Sequence, residues 1–212
     1  MLKRRLFLLL AVLLPLLGFA QAKSVPYFSQ IGGASKLDAD WTVYNVNGDE
    51  KTWINDASSS TYSSISAVKV TAGAKYLYNT NADANDWLVS PAIHLEADKE
   101  YKVSFYVKTS GSYKESLRLA VANANTADAM ATKSETLLDF PELTEKTFVK
   151  KSVVYVARES GDYYFGLYEY SKKDLYNVFV TAFSVAENIT TPAPVTGLTA
   201  TEGANEAITV DL

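Results

Sequence analysis

Short runs of alternating apolar and polar residues recur along most of the chain. A period of two places every second side chain on the same face, so each run predicts a half-buried β-strand. The predicted strands lie at residues 41–43, 65–70, 76–78, 101–107, 117–121, 153–157, 163–170 and 178–185. Clusters of Gly, Asn, Asp and Ser between them predict turns. Helix-like composition is confined to residues 126–138, where at most one or two helical turns are expected.

The segment from Asn85 to Phe105, NDWLVSPAIHLEADKEYKVSF, carries the clearest strand signals. A polar turn leads into a strand that contains Trp87, and Asp86 in that turn is expected to accept hydrogen bonds from backbone amides. Pro91 lacks an amide proton, so this strand is predicted to lie at a sheet edge or to be kinked there. A charged turn and a further alternating run then predict a second strand.

The domain predicted from these signals is all-β. Many short strands separated by turns, with abundant Val, Thr and Tyr, favour a two-sheet jelly-roll β-sandwich. Residues 23–188 are assigned to this domain. Trp41, Trp53 and Trp87 are expected to be its core and loop anchors, because large aromatic side chains dominate the area that a core buries.

The first 22 residues have the pattern of a secretory signal peptide. Basic residues precede an apolar run from Leu6 to Leu17, and Ala20-Gln21-Ala22 forms a small-x-small cleavage site. The apolar run is shorter than the roughly 20 residues of a transmembrane helix, and an uncleaved N-terminal anchor is the alternative interpretation. The pattern at 1–22 therefore predicts a secreted or cell-surface protein whose mature chain does not insert into a membrane.

Charge and cysteine content narrow the function classes. After cleavage the chain keeps 17 basic and 24 acidic residues, a net charge of −7. An acidic surface disfavours nucleic acids and anionic membranes as partners. There is no cysteine, so disulfides, thiol chemistry and cysteine-ligated zinc are excluded. Stability must come from core packing, alone or together with a bound ion.

Few residues suit catalysis. His94 is the only histidine, and alternation with its apolar neighbours places it on the outer face of a strand. A Gly-x-Ser-x-Gly nucleophile elbow is absent, so a Ser-His-Asp triad has no support. Asp83 and Asp86 offer a glycosidase-like carboxylate pair, but turn chemistry explains both residues. No catalytic residue is assigned, and a non-catalytic function is predicted.

One polar loop is the candidate metal site. Asn45, Asn47 and Asp49 supply oxygen atoms at alternating positions around Gly48, and Asp56 follows shortly after. Oxygen ligands around a tight turn suit Ca²⁺, whereas an ordinary Asn-Gly turn is the alternative. The loop itself offers one carboxylate, so any calcium site is expected to be weak unless Asp56 or a distant Asp joins it.

Tyrosine, used 14 times, supplies the candidate ligand-binding face. Along residues 163–170 apolar side chains share one strand face, and the other face carries Tyr164, Tyr168 and Tyr170 with a gap at Gly166. One face must be core, so the other displays tyrosine rings that suit a sugar or a protein partner. Solvent-tolerant strand tyrosines without a ligand are the alternative.

The block from Asp86 to Ile93 resembles the signature of the choice-of-anchor J and cleaved-adhesin family, and the similarity extends over nearly all of residues 23–188. A Trp-bearing first strand, a polar loop ending in Trp53, the YKVSF strand, an aromatic strand and the closing strand at 180–185 follow the family order. The resemblance implies a MAM-like jelly roll in a bacterial surface protein, with structural calcium in the loop. The chain departs from this pattern in its loop asparagines and at Thr181, where the family usually has Asp.

The C-terminal end resembles a second family. Residues 189–194 form a short Pro/Thr linker, and residues 195–212 are similar to the beginning of a fibronectin type III domain. Two strands do not form a stable sandwich. This segment is therefore interpreted as an incomplete fibronectin type III domain of a longer, multi-module protein.

These features predict a secreted bacterial surface adhesin, a non-catalytic module that binds carbohydrate or protein. Its expected partners are glycans and host or other extracellular proteins, with no nucleic acid. A structural spacer in a large multidomain surface protein is one alternative. The other alternative is an accessory binding domain of an extracellular hydrolase.

Overall fold

The structure, a computed structural model, describes residues 21–189, 199–202 and 208–211. Along these residues the elements are β1 (Tyr27–Ser29), β2 (Thr42–Asn45), β3 (Trp53–Asp56), α1 (Ser59–Tyr62), β4 (Gly73–Tyr76), β5 (Asp86–Val89), β6 (Ile93–Leu95), β7 (Glu100–Thr109), β8 (Glu115–Ala122), α2 (Ala127–Thr132), β9 (Glu135–Leu143), β10 (Val149–Val156), β11 (Gly161–Glu169), β12 (Val178–Glu187), β13 (Thr199–Glu202) and β14 (Ile208–Asp211). Strands dominate the described part of the chain, as the alternating pattern predicts.

Two six-stranded antiparallel sheets pack against each other. The first sheet has the order β10-β7-β12-β4-β3, and β1 pairs with the other half of β12. The second has the order β2-β5-β11-β8-β9, and β6 pairs with β11 beyond the end of β5. The long strands β11 and β12 thus each hold two shorter partners along one side. This arrangement is the predicted all-β jelly-roll sandwich.

The main core lies between the two sheets and follows from the alternation. In β7 every second residue from Tyr101 to Val107 is buried, whereas Lys102 is exposed. Trp41 and Trp53 belong to this core, with 6% and 2% of their surface exposed. The Trp41 indole packs edge-on against Phe183 with ring centroids 5.3 Å apart. Both tryptophans are therefore buried as predicted.

Pro91 separates β5 from β6, and both strands pair with β11. β5 lies between β2 and β11, so the edge-strand alternative is wrong and the kink is confirmed. The Ser90 amide donates to the Phe165 carbonyl at 2.9 Å, and the Phe165 amide donates to the Ser90 hydroxyl at 3.0 Å. The Ser90 side chain thereby satisfies a buried amide at the break in the ladder.

One predicted strand is absent from the described structure. Residues 65–70 lie in turns after α1, and Ile65 and Val70 pack with Tyr62 in a small satellite cluster. The apolar side chains of this segment are therefore buried within a loop, and its backbone does not form the ladder of hydrogen bonds that defines a strand. The strand prediction at 65–70 is wrong for this reason.

The helix expected within residues 126–138 is present but shorter than that region. α2 begins after Thr126, whose hydroxyl accepts a hydrogen bond from the Ala129 amide at 3.0 Å. From Glu135 the chain is not helical, because β9 starts there and pairs with β8. Pairing with a neighbouring strand overrides the local helix propensity of these residues.

The predicted terminal segments are described only in part. The signal peptide prediction at 1–22 falls almost entirely outside the described residues, as does most of the predicted linker at 189–194. Within 195–212, β13 and β14 form an antiparallel pair, and the assignment to a fibronectin type III domain stays a prediction. Among the described residues, no helix has the length and apolar character needed to cross a membrane.

Candidate binding face and buried carboxylates

The outer face of the second sheet carries the tyrosines that the sequence indicates. On β11, Phe165 and Leu167 are fully buried in the main core, whereas Tyr164 and Tyr168 lie half-buried on the opposite face. Tyr170 continues this face, and its ring stacks on Tyr168 with centroids 5.5 Å apart. The two faces of β11 are thus divided as the alternation predicts, while a binding role for the tyrosines stays a prediction.

Trp87 lies on this same outer face. The register of β5 and β11 makes Trp87 the direct partner of Tyr168, and the two rings stack at 4.4 Å with an interplanar angle of 21°. Met130 of α2 packs over them, and Trp87 is only 3% exposed. Trp87 is therefore buried as expected, but in a second, smaller cluster outside the main core.

The side chains of Trp87 and Met130 in this second cluster pack directly over Gly166 of β11. A Cβ atom at Gly166 would lie 2.7 Å from the Trp87 ring and 2.8 Å from the Met130 sulfur. The gap in the tyrosine row is thus filled by an indole ring and a thioether. The tyrosine face is divided in two at this predicted gap, with Tyr164 on one side of the cluster and Tyr168 and Tyr170 on the other.

Arg118 of β8 completes the part of the face around Tyr168 and Tyr170, which we call the Tyr170 end. Its guanidinium carbon lies 5.1 Å from the Tyr170 centroid and 5.9 Å from that of Tyr168. Asp139 of β9 accepts a hydrogen bond from the Tyr170 hydroxyl at 2.6 Å and lies 3.4 Å from the guanidinium. Asn85 accepts a hydrogen bond from the Tyr168 hydroxyl at 3.0 Å.

A cavity of about 290 Å³ opens at the Tyr170 end. Its lining consists of Asn85, Trp87, Arg118, Met130, Ala131, Ser134, Thr136 and Tyr168. Most of the accessible lining is polar, and Tyr170 and Asp139 lie beside the cavity and are not part of its lining. Convergent polar groups next to aromatic side chains are found in small-ligand sites. Arg118 Nε is buried and has no hydrogen-bond partner among the described residues, so this guanidinium retains donor capacity.

The tyrosine hydroxyls at this end are held protonated. Burial raises the pKa of Tyr170 to about 12, and Asp139 adds to the shift while Arg118 opposes it. Burial also raises the pKa of Tyr168. Each hydroxyl donates its proton inside the protein and keeps acceptor capacity for a ligand.

Tyr164 belongs to a different cavity on the same sheet. This cavity has a volume of about 420 Å³, and Tyr164 lines it together with Pro91, Asn125 and Asp162. Asp162 also pairs with His94 Nδ1 at 2.9 Å in an exposed contact. His94 is therefore a surface residue, as the alternation predicts, and pairs of this kind contribute little to stability.

The predicted calcium loop is held together by turn hydrogen bonds. Asn45 Oδ1 accepts the Gly48 amide at 2.7 Å, and Asp49 Oδ1 accepts the Lys51 amide at 3.0 Å. Asn47 turns its amide nitrogen towards a backbone carbonyl at 2.8 Å. The first two contacts are local turn hydrogen bonds, as in the Asn-Gly turn given as the alternative for this segment, whereas the carbonyl bound by Asn47 belongs to the distant Asp83.

Asp56, the fourth residue of the predicted calcium site, makes its side-chain hydrogen bond outside the loop. It ends β3, and its carboxylate accepts a hydrogen bond from the Tyr62 hydroxyl at 3.2 Å. Across residues 21–189, no group of three or more His, Cys, Asp or Glu side chains is placed to hold a metal ion. Two of the four residues proposed for calcium are asparagines, which are not among these four residue types, and calcium binding at Asn45, Asn47, Asp49 and Asp56 stays a prediction.

Thr181 shows what replaces the Asp of the resembling family. Its hydroxyl lies 2.8 Å from the Ala72 carbonyl and 3.2 Å from the Gln30 carbonyl. A hydroxyl has a single proton, so it donates to one of the two at a time. Thr181 thereby ties the irregular middle of β12 to the segments beside β1 and β4.

Sequence patterns did not reveal a set of three buried carboxylates at one end of the sandwich. Asp86, Glu115 and Glu169 have no exposed surface. Asp86 Oδ2 accepts the Asn85 amide at 3.0 Å, as expected for this turn, and also the Tyr76 hydroxyl at 3.2 Å. The two glutamates could have been recognised from the sequence, because each occupies a core-facing position of its alternating strand, where a charged residue is unusual.

Comparisons with known proteins identify the class of fold. The K1 cleaved adhesin domain of Lys-gingipain from Porphyromonas gingivalis W83 is similar, with a TM-score of 0.58, 14% identity and coverage of 77% of this chain and 99% of that one. The K3 domain of the same protein has a TM-score of 0.55, 15% identity and coverage of 76% and 96%. TmCBM61, solved in complex with β-1,4-galactotriose, has a TM-score of 0.51, 13% identity and coverage of 71% and 90%.

At these identities the likeness establishes the jelly-roll fold alone. A scan against models of known families gives no match, and a search of curated proteins gives none either. The chain is thus a jelly-roll β-sandwich of the architecture that cleaved adhesin domains and a carbohydrate-binding module share. What it binds has to be argued from its own surface.

Proposed function

We propose that this chain is a non-catalytic, secreted bacterial surface module of the adhesin type that binds a carbohydrate at the Tyr170 end. The observation that carries the proposal is the Trp87–Tyr168–Tyr170 stack, which continues into the Arg118–Asp139 pair beside a cavity. The proposal is also supported by the predicted export signal, and by a similar fold that is known in complex with a galactotriose.

The chemistry of the Tyr170 end suits a sugar. A sugar ring has an apolar face that packs on an aromatic ring, and hydroxyls at its edge that bind planar polar groups. Tyr170 supplies the ring, and Arg118 and Asp139 supply a donor and an acceptor next to it. The cavity, at about 290 Å³, is at the lower end of the size of ligand pockets, which suits a short segment of a glycan.

The test is a glycan array probed with the full chain, followed by calorimetry on the glycans that bind. Tyr170→Ala and Arg118→Ala are each expected to weaken binding about tenfold, equivalent to about 1.4 kcal/mol. The matched control is Phe28→Ala, because Phe28 is an aromatic residue 52% exposed on the opposite sheet. Its affinity for the same glycan is expected to equal that of the unchanged chain.

An array without any bound glycan contradicts the proposal. A protein captured from host extracts with the same dependence on Tyr170 and Arg118 would then assign the site to a protein partner. Equal losses in Phe28→Ala and Tyr170→Ala would place the ligand elsewhere on the molecule. A chain that binds neither class of partner supports the spacer alternative.

A further inference from the structure

Glu115 and Glu169 lie next to each other inside the sandwich. Glu115 begins β8, Glu169 ends β11, and these antiparallel neighbours place Glu169 opposite Leu117. Paired residues of neighbouring strands share a face, so Glu169 lies on the same core-facing side as Leu117. Residues two apart in a strand also share a face, so Glu115 faces the core as well. Neither glutamate has any exposed surface. The Ser171 hydroxyl donates a hydrogen bond to Glu169 and accepts one at 2.7 Å from the amide of Ser116, the residue after Glu115.

Each of the two carboxylates has one satisfied oxygen and one free oxygen. Glu115 Oε1 accepts the Tyr176 amide at 2.7 Å, and Glu169 Oε1 accepts both the amide and the hydroxyl of Ser171. The Oε2 atoms of Glu115 and Glu169 are buried without a hydrogen-bond partner among the described residues. An ionised carboxylate can only accept, so a cation, a proton or the O–H group of a water molecule would satisfy these two atoms.

The charges of this pair are also uncompensated. None of the ion pairs formed by the described residues includes Glu115 or Glu169. Burial raises the pKa of both groups, and the charge of Glu115 raises the pKa of Glu169 further. Two unpaired carboxylates in a dry interior are strongly unfavourable. A bound cation would pair both charges and satisfy both free oxygens at once.

We propose that Glu115 and Glu169 form a buried calcium site at this end of the sandwich. Ca²⁺ takes about six to eight oxygen ligands in a flexible geometry. The two carboxylates and the Ser171 hydroxyl supply side-chain ligands. No third acidic or histidine side chain is placed with them in the described structure, so neutral oxygens and water complete the shell. Mg²⁺ fits less well, because it requires near-octahedral geometry and gives up water reluctantly.

Two neighbouring side chains bear on the ligand set. Asn177 directly follows Tyr176, whose amide binds Glu115, and its Oδ1 is buried without a partner among the described residues. An amide oxygen of this kind is a usual neutral ligand of Ca²⁺. Asp86 also raises the pKa of Glu169. Its Oδ2 accepts two hydrogen bonds and its Oδ1 is buried without a partner among the described residues, but Asp86 does not form a three-carboxylate metal group with the two glutamates there. Asn177 is therefore the first candidate for a further ligand.

The test uses the full chain after removal of metal with EDTA. Calcium chloride or magnesium chloride is added, and binding is measured by calorimetry and thermal unfolding. An ion that binds the folded state alone raises the unfolding temperature. We expect this rise with Ca²⁺ and a much smaller one with Mg²⁺.

Glu169→Gln and Glu115→Gln are each expected to weaken calcium binding at least about tenfold, because each removes one of two charges. The matched control Glu187→Gln, an exposed residue paired with Lys99, is expected to bind normally.

A wild-type chain that does not respond to calcium overturns the proposal. A higher unfolding temperature of Glu169→Gln in that case would show that the pair holds a proton. The proposal is also overturned if the calcium response survives both buried variants and disappears in Asp49→Asn, since the ion would then occupy the surface loop. Circular dichroism checks that the variants are folded, and the wild-type titration decides the question even if one of them is not.

Discussion

The Ser90 hydroxyl accepts the backbone amide of Phe165 at 3.0 Å, beside the residue where Pro91 interrupts the strand. The same hydroxyl donates to the Pro91 carbonyl at 2.9 Å. Ser90 and Phe165 have no exposed surface, so water cannot take over either contact. A side chain here replaces a main-chain acceptor, which allows one strand to be broken in the middle of a sheet without leaving an unsatisfied amide.

Ser90→Ala is expected to lower the free energy of unfolding by about 1–3 kcal/mol, the cost of an unsatisfied buried amide. Urea denaturation measures the loss. Ser152→Ala, at an exposed position of β10, should stay within about 0.5 kcal/mol of the unchanged chain. Equal stability of the two variants would show that the Phe165 amide finds another acceptor.

Gly166→Ala is expected to destabilise the second cluster, because the added methyl group overlaps the Trp87 ring and the Met130 sulfur. Overpacking of this kind costs about 1–3 kcal/mol. Gly161→Ala is the matched control on the same strand, since a methyl group added there would meet no atom within 4 Å. Denaturant midpoints of the two variants give the comparison. A Gly166→Ala chain as stable as Gly161→Ala would mean that α2 is displaced easily.

Trp41→Ala removes an anchor of the main core together with the hydrogen bond from its indole nitrogen to Ser29 at 3.1 Å. The expected loss of unfolding free energy is about 3–5 kcal/mol. Chemical denaturation followed by circular dichroism measures it. Phe28→Ala, an exposed aromatic residue, should change stability by less than about 0.5 kcal/mol. A loss below that limit in Trp41→Ala would contradict its place in the core.

Tyr170 is expected to ionise with a pKa of about 12, above the ordinary tyrosine value of 10.0. The folded chain holds this proton more tightly than the unfolded chain. The resulting stability is therefore fully present below about pH 10 and is lost as the pH rises through about 12. A tyrosinate absorbance titration of the chain minus that of Tyr170→Phe isolates this group. A difference curve centred on about 10 would show that burial and Asp139 do not act on the hydroxyl.

The sequence determined the faces of the strands. Alternation alone separated the face of Phe165 and Leu167 from that of Tyr164 and Tyr168, and the size of the tryptophan side chain indicated burial for Trp41 and Trp53. This succeeds because consecutive residues of a strand point to opposite sides, which is a purely local property. The jelly-roll class followed from the number and spacing of such segments.

Only the tertiary structure decided what covers each face and which strands become neighbours. Met130 of α2 closes over Trp87 and divides the tyrosine row, and the carboxylate of Asp56 accepts a hydrogen bond from Tyr62 of α1. Glu115 and Glu169 meet because β8 and β11 pair, although they are far apart in the chain. Strand order results from long-range packing, and a local period shows which side chains share a face without showing which strands become neighbours.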